Sequence, residues 1–121
     1  AATDITGFGL VGHAMHIAKA SKVKVEFSIS AIPRFAQALD FLEGGNLTKA
    51  HKTNAEYVGD VFTWLSHLEK LLVCDPQTSG GLLLSVSRSK AEKVLTQVKA
   101  KFQKAEIVAT VKEGSGISFV R

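Results

Sequence analysis

The chain is poor in the residues that staple, anchor or repeat a fold. Among 121 residues there is one cysteine, Cys74, so neither an internal disulfide nor a multi-thiolate metal site can form. That cysteine lies in the apolar run Leu71-Leu72-Val73-Cys74, which predicts a buried, inert thiol. No apolar run approaches the roughly 20 residues of a membrane-spanning helix, and no signal-peptide pattern opens the chain. Lysine plus arginine number 15 against 11 acidic residues, a net charge of +4, without the dense basic run of a nucleic-acid binder. Internal repeats and low-complexity tracts are absent. These absences leave a folded cytoplasmic domain with neither membrane nor nucleic acid as partner, and the 45% hydrophobic content supports a real core. The first residue is not methionine and the first motif begins at residue 3, the pattern expected of a domain within a longer protein.

What the chain does have is two dense glycine-rich stretches. One is Thr3-Asp4-Ile5-Thr6-Gly7-Phe8-Gly9-Leu10-Val11-Gly12-His13; the other is Asp75-Pro76-Gln77-Thr78-Ser79-Gly80-Gly81-Leu82-Leu83. Each joins a carboxylate to hydroxyls and glycines and runs into an apolar element. Such loops bring main-chain N–H groups close to an anion, with a carboxylate able to hold a cation nearby.

Periodicity predicts the elements around them. Phe8, Val11, Met15 and Ala18 give a helix over 8–20 with Thr6 as N-cap. Strict alternation over 23–30 predicts a strand with one buried face. A helix over 34–43 should turn Phe35, Leu39 and Leu42 inward and stop at Gly44-Gly45. The polar stretch 46–58 reads as a long loop with room for a short helical turn. A helix capped by Asp60 carries Val61, Leu65, Leu68 and Leu72, with residues 71–74 open to a short strand. Leu82 to Val86 reads as a central strand buried on both faces. Ser89-x-x-Glu92 matches a capping box for a helix with Ala91, Val94, Leu95, Val98 and Phe102 on one face. Residues 106–111 and 117–120 then read as a hairpin around Lys112-Glu113-Gly114-Ser115-Gly116. The sum is an α/β domain of the α+β type, a mixed β-sheet covered by helices.

The candidate chemistry follows. Asp4 is a helix-capping charge or a Mg²⁺ ligand, since hard cations take carboxylate oxygens and share them with phosphates. Thr6, Gly7 and Gly9 form a glycine-bearing helix start suited to an anion. A plain turn between Asp75-Pro76 and Gly80-Gly81 has no need of Gln77, Thr78 and Ser79, three side chains that can hydrogen-bond. Gly80 and Gly81 are expected to offer free main-chain N–H groups. No Gly-Lys-Ser/Thr follows the glycines, so this is no Walker loop, and Ser79 lacks a nucleophile elbow. His13, His16, His51 and His67 show no metal-ligand spacing with a third group and read as surface or hydrogen-bonded histidines.

At these residues the chain resembles the C-terminal domain of the selenophosphate synthetase (selenide, water dikinase) family, within the aminoimidazole ribonucleotide synthetase-related superfamily. Residues 3–14 and 75–83 are similar to that family's two signature stretches, and the resemblance covers essentially the whole chain. It implies the fold of the C-terminal domain of aminoimidazole ribonucleotide synthetase-like proteins. It implies a cytoplasmic, homodimeric enzyme that turns ATP, selenide and water into selenophosphate, AMP and phosphate with Mg²⁺. The reactive Cys or selenocysteine, its Lys partner and most of the ATP site are implied on an N-terminal domain, so no catalytic residue is expected here and the fragment alone should be inactive. By the same matching Asp4 is a Mg²⁺ ligand, and Thr6, Gly7, Gly9, Gln77, Thr78, Ser79, Gly80 and Gly81 face the interdomain cleft. Family members carry a Pro-Gly-Gly-Thr type turn followed by an Asn; here the chain reads Glu43-Gly44-Gly45-Asn46-Leu47-Thr48 with Asn54 later, so residues 43–60 are not carried into the site. A noncatalytic paralogue that only packs against a partner remains a second reading. A superfamily kinase or ligase for another substrate is a third, against which Gln77-Thr78-Ser79 speaks.

Overall fold

The computed structural model describes residues 1–121 as an α+β domain with two sheets rather than one. The larger holds β2 (Lys24–Ser28) at its centre, antiparallel to β4 (Ala109–Lys112) and parallel to β5 (Gly116–Val120). The smaller is a two-stranded antiparallel ribbon of β1 (Ala2–Asp4) and β3 (Leu82–Leu84). Helix α1 (Gly9–Ser21) lies on the larger sheet and also packs against α3 (Lys49–Val58) and α4 (His67–Cys74), while α2 (Ala38–Glu43) packs on α4. Helix α5 (Arg88–Lys99) follows β3. No helix is long and apolar enough to cross a membrane.

The core follows the two clearest periodicities. Alternation in β2 buries Val25 and Phe27, and β5 answers with Ile117 and Phe119, whose ring stacks on that of Phe27 at a centroid distance of 5.7 Å. Val11, Ala14, Met15 and Ala18 cover them from α1. Lys22, in the left-handed region at φ 53°, ends α1 and turns the chain directly into β2.

Several expectations give way. Thr6 is not the N-cap of α1; Phe8 holds that position, and its ring is exposed rather than part of the apolar stripe. Helix α2 begins only at Ala38, leaving Phe35 75% exposed. The predicted loop 46–58 is largely helix α3, begun by a reciprocal cap in which Thr48 and His51 satisfy each other's backbone and side-chain groups. Helix α4 starts at Ser66-x-x-Glu69, a complete capping box, not at Asp60, and residues 71–74 are its last turn rather than a strand. The Ser66 N–H bond to the Glu69 carboxylate holds that group below its usual pKa, helped by Arg121. Helix α5 begins two residues before the predicted box, with Ser87 as N-cap and no side-chain cap bond, and buries no residue.

The strand readings change as well. Leu82–Leu84 is not a central strand. It pairs only with β1, and Leu82 and Leu84 lie exposed. β4 and β5 do not form a hairpin because β2 lies between them. Residues 113–115 stride across the start of β2, and a Cβ on Gly114 (φ 127°) would sit 3.3 Å from Lys24 Cβ.

Candidate functional site

The two glycine-rich stretches meet. Asp4, the last residue of β1, stands opposite Leu82, the first of β3. Beyond that pair the loops are laced by main chain: Ile5 N–H donates to Gly81 O at 2.9 Å, Gly80 N–H to Ile5 O at 3.2 Å and Gln77 N–H to Thr6 O at 3.1 Å. Residues 3–9 and 75–82 thus form one surface, with Asp4 at its edge and Gly7, Thr78, Ser79 and Gly81 exposed on it.

The glycines have different reasons. A Cβ on Gly80 would lie 2.3 Å from Ile5 O, so glycine is required by close backbone approach, not by a left-handed turn. The Gly80 N–H is committed to Ile5, which corrects the expectation that it is free for a ligand. Gly9 combines φ 65° with a Cβ position 2.9 Å from the Cys74 carbonyl carbon, fixing the start of α1 against the end of α4. Gly7 and Gly81 have open space where a side chain would be.

Thr6 turns its side chain to His13 in α1. Its N–H donates to His13 Nε2 at 3.1 Å and its Oγ1 lies 3.0 Å from the same nitrogen. Nε2 therefore accepts, which assigns the ring proton to Nδ1. The rings of Phe8 and His16 flank His13, with centroids 5.7 and 6.3 Å away, and Tyr57 packs on His16 at 5.4 Å. His67 is exposed at the first turn of α4. The Gln77 amide donates to Asp75 Oδ2, so that side chain serves the loop itself.

Cys74 is buried, as expected; burial pushes its thiol up to about 11, with Lys70 opposing the shift. Asp4 is exposed and forms no ion pair within the chain, and no three His, Cys, Asp or Glu side chains gather as a metal cage. One hard oxygen donor on an open surface suits a cation shared with other ligands, not one enclosed by this chain.

Two residues at this surface were missed by sequence reasoning. His51 and Asn54, 5% and 3% exposed, reach the loops from α3. Asn54 Nδ2 donates to Gly7 O at 2.9 Å and to Cys74 O at 3.0 Å. His51 Nε2 lies 3.0 Å from Asp75 Oδ1, an electrostatic contact whose angle falls short of a hydrogen bond. The missed signal was the helical spacing of 51, 54, 55 and 58, hidden because two of those positions are polar.

Known proteins resemble this chain over most of its length. Residues 1–121 match the family described as AIR synthase related protein, C-terminal domain. Relatives named selenide, water dikinase include one from Bdellovibrio bacteriovorus, 56% identical over 113 residues, and one from Nitrosomonas eutropha, 50% identical over 113; each alignment takes in 92% of this chain and 32% of the relative. A third, from Rhizobium meliloti, is 40% identical over 119 residues, which is 95% of this chain and 34% of the relative. The chain spans about a third of the length of these curated relatives.

Proposed function

Since the chain belongs to the AIR synthase related protein C-terminal domain family, we propose that it is the C-terminal domain of a selenide, water dikinase. The whole protein would convert ATP, selenide and water into selenophosphate, AMP and phosphate, as a cytoplasmic homodimer. The observation that carries this reading is the lacing of the Asp75–Gly81 loop to Ile5 and Thr6, which sets hydroxyls and unobstructed main chain beside a free carboxylate. The identity with relatives of that name supports it.

Asp4 fits one position in the coordination of Mg²⁺ held jointly with ATP phosphates, and a bound Mg²⁺ would neutralise charge on those oxygens during transfer. The chain's own contribution is positioning. Gly7 and Gly81 leave room for a phosphate or selenium species to approach the backbone, and Thr78 and Ser79 add hydroxyl donors. Thr6, Gly9, Gln77 and Gly80 hold the two loops in shape. The outer face of the ribbon carries Ala2, Leu82 and Leu84 beside Asp4, an apolar surface fit to receive an N-terminal domain that closes over the nucleotide and excludes water.

The test is AMP formation by the full-length protein. Selenide-dependent AMP release is expected from the whole protein and none from residues 1–121 alone. Asp4→Asn should demand several-fold more Mg²⁺ for half-maximal turnover while leaving the melting temperature near that of the parent. A whole protein without selenide-dependent turnover would point instead to a noncatalytic relative, and full Asp4→Asn activity at limiting Mg²⁺ would remove the ligand assignment.

A further inference from the structure

We propose that His51 and Asn54 are positioning residues that set the placement of the two glycine-rich loops relative to each other. The idea rests on reading those loops as the cleft site. Among the buried residues these two alone carry polar or charged side chains. They lie three apart on α3 and so on one face of it. A helix that needed only cover would place apolar residues there, because buried polar groups are costly unless each finds a partner.

Here Asn54 finds both its partners at the loops, and His51 sets Nε2 3.0 Å from the Asp75 carboxylate, an electrostatic contact short of a hydrogen bond. The two N–H bonds of the Asn54 amide go to Gly7 in the first loop and to Cys74, which directly precedes the second. Thr48 N–H donates to His51 Nδ1 at 3.1 Å, which leaves the ring proton on Nε2, the atom facing Asp75. The other Asp75 oxygen holds the Gln77 amide, and the Gln77 main-chain N–H returns to Thr6 in the first loop. The contacts close a ring: Gly7, Asn54, Cys74, Asp75, Gln77, Thr6. A shift of α3 must move both loops or break that ring. Phosphoryl transfer depends on placement to within a fraction of an ångström, so loosening the ring should lower turnover without removing any group that touches substrate.

The experiment uses the full-length protein and two readouts. Amide hydrogen exchange is followed at Gly9, Gln77 and Gly80, with Val25 and Phe27 in β2 as internal reference. AMP formation is measured per folded molecule. In Asn54→Ala and His51→Ala the loop amides should exchange about tenfold faster while the β2 amides stay within about twofold of the parent, and kcat should fall about tenfold with the ATP KM nearly unchanged. His51→Gln, which retains an N–H donor toward Asp75, should restore most of both. Equal acceleration in loops and sheet, or unchanged kcat despite faster loop exchange, would overturn the proposal by reducing both residues to structural fill. If Asn54→Ala fails to fold, the His51→Ala and His51→Gln pair decides by the same criteria. If the parent itself shows no selenide-dependent turnover, the functional reading falls, and the exchange pattern alone decides: loop-selective acceleration keeps the positioning role, uniform acceleration removes it.

Discussion

The β4-β2-β5 sheet and the β1-β3 ribbon are both built from short strands, yet they are held in opposite ways. The sheet is fixed by apolar contact, with Val25, Phe27, Ile117 and Phe119 closed under α1. The ribbon and the loops that continue it are held mainly by main-chain bonds and, at Gly7, Cys74 and Asp75, by two buried polar side chains; only Leu83 turns to the core, while Leu82 and Leu84 face solvent. Apolar burial is strong and indifferent to direction, whereas hydrogen bonds are weaker in net worth and demanding in geometry. One region supplies stability and the other supplies placement.

This contrast breaks or sharpens under mutation. Phe27→Ala should cost about 3–5 kcal/mol in urea unfolding of the chain, the loss usual for a fully buried aromatic. A loss near 1 kcal/mol would mean that the sheet is not the anchor. Gly80→Ala should cost about 1–3 kcal/mol because its Cβ must displace the Ile5 carbonyl, while Gly81→Ala, facing open space, should stay within about 0.5 kcal/mol. Equal effects of the two in thermal melts would deny the close approach of the loops. Cys74 sits where the regions join. Its folded pKa of about 11 stands above the unfolded value of 9.0, so its contribution is complete below pH 9 and lost as pH rises toward 11. The difference in stability between parent and Cys74→Ala should therefore shrink across that window by an amount on the order of 2 kcal/mol, and a constant difference would contradict the burial. Leu82→Ser should have the smallest effect on the chain alone, within about 0.5 kcal/mol, because Leu82 is 71% exposed. In the full-length protein the same change should lower the melting temperature clearly; an equal shift in both would leave the ribbon face open to solvent and remove the docking role proposed for it.

The sequence makes the first region easier to read than the second. The stripe Val11, Met15, Ala18 and the alternation of Val25 and Phe27 each point to one periodic solution, and both elements form where expected. Helix α3 escaped because His51 and Asn54 hold inward positions that a hydrophobic pattern assigns to apolar residues. The β4-β5 link was misread because Gly114-Ser115-Gly116 serves a tight turn and a stride over a third strand equally well; which occurs depends on β2, far away in sequence. Leu82 to Leu84 lacks any local signal that its outward residues would stay uncovered. Both loops were legible from composition. Their contact was not, because it is made by main-chain groups that every residue carries.

The position of β2 between β4 and β5 also sets an order of assembly. Residues 24–28 acquire neither neighbouring strand until residues 109–120 have been synthesised, so β2 and the part of α1 that β5 covers must wait while most of the domain leaves the ribosome, even though α3 and α4 can already pack on the rest of α1. Nascent chains halted before residue 109 should therefore be protease-sensitive and attractive to chaperones, and protection should arrive as a single late event when β5 reaches the tunnel exit.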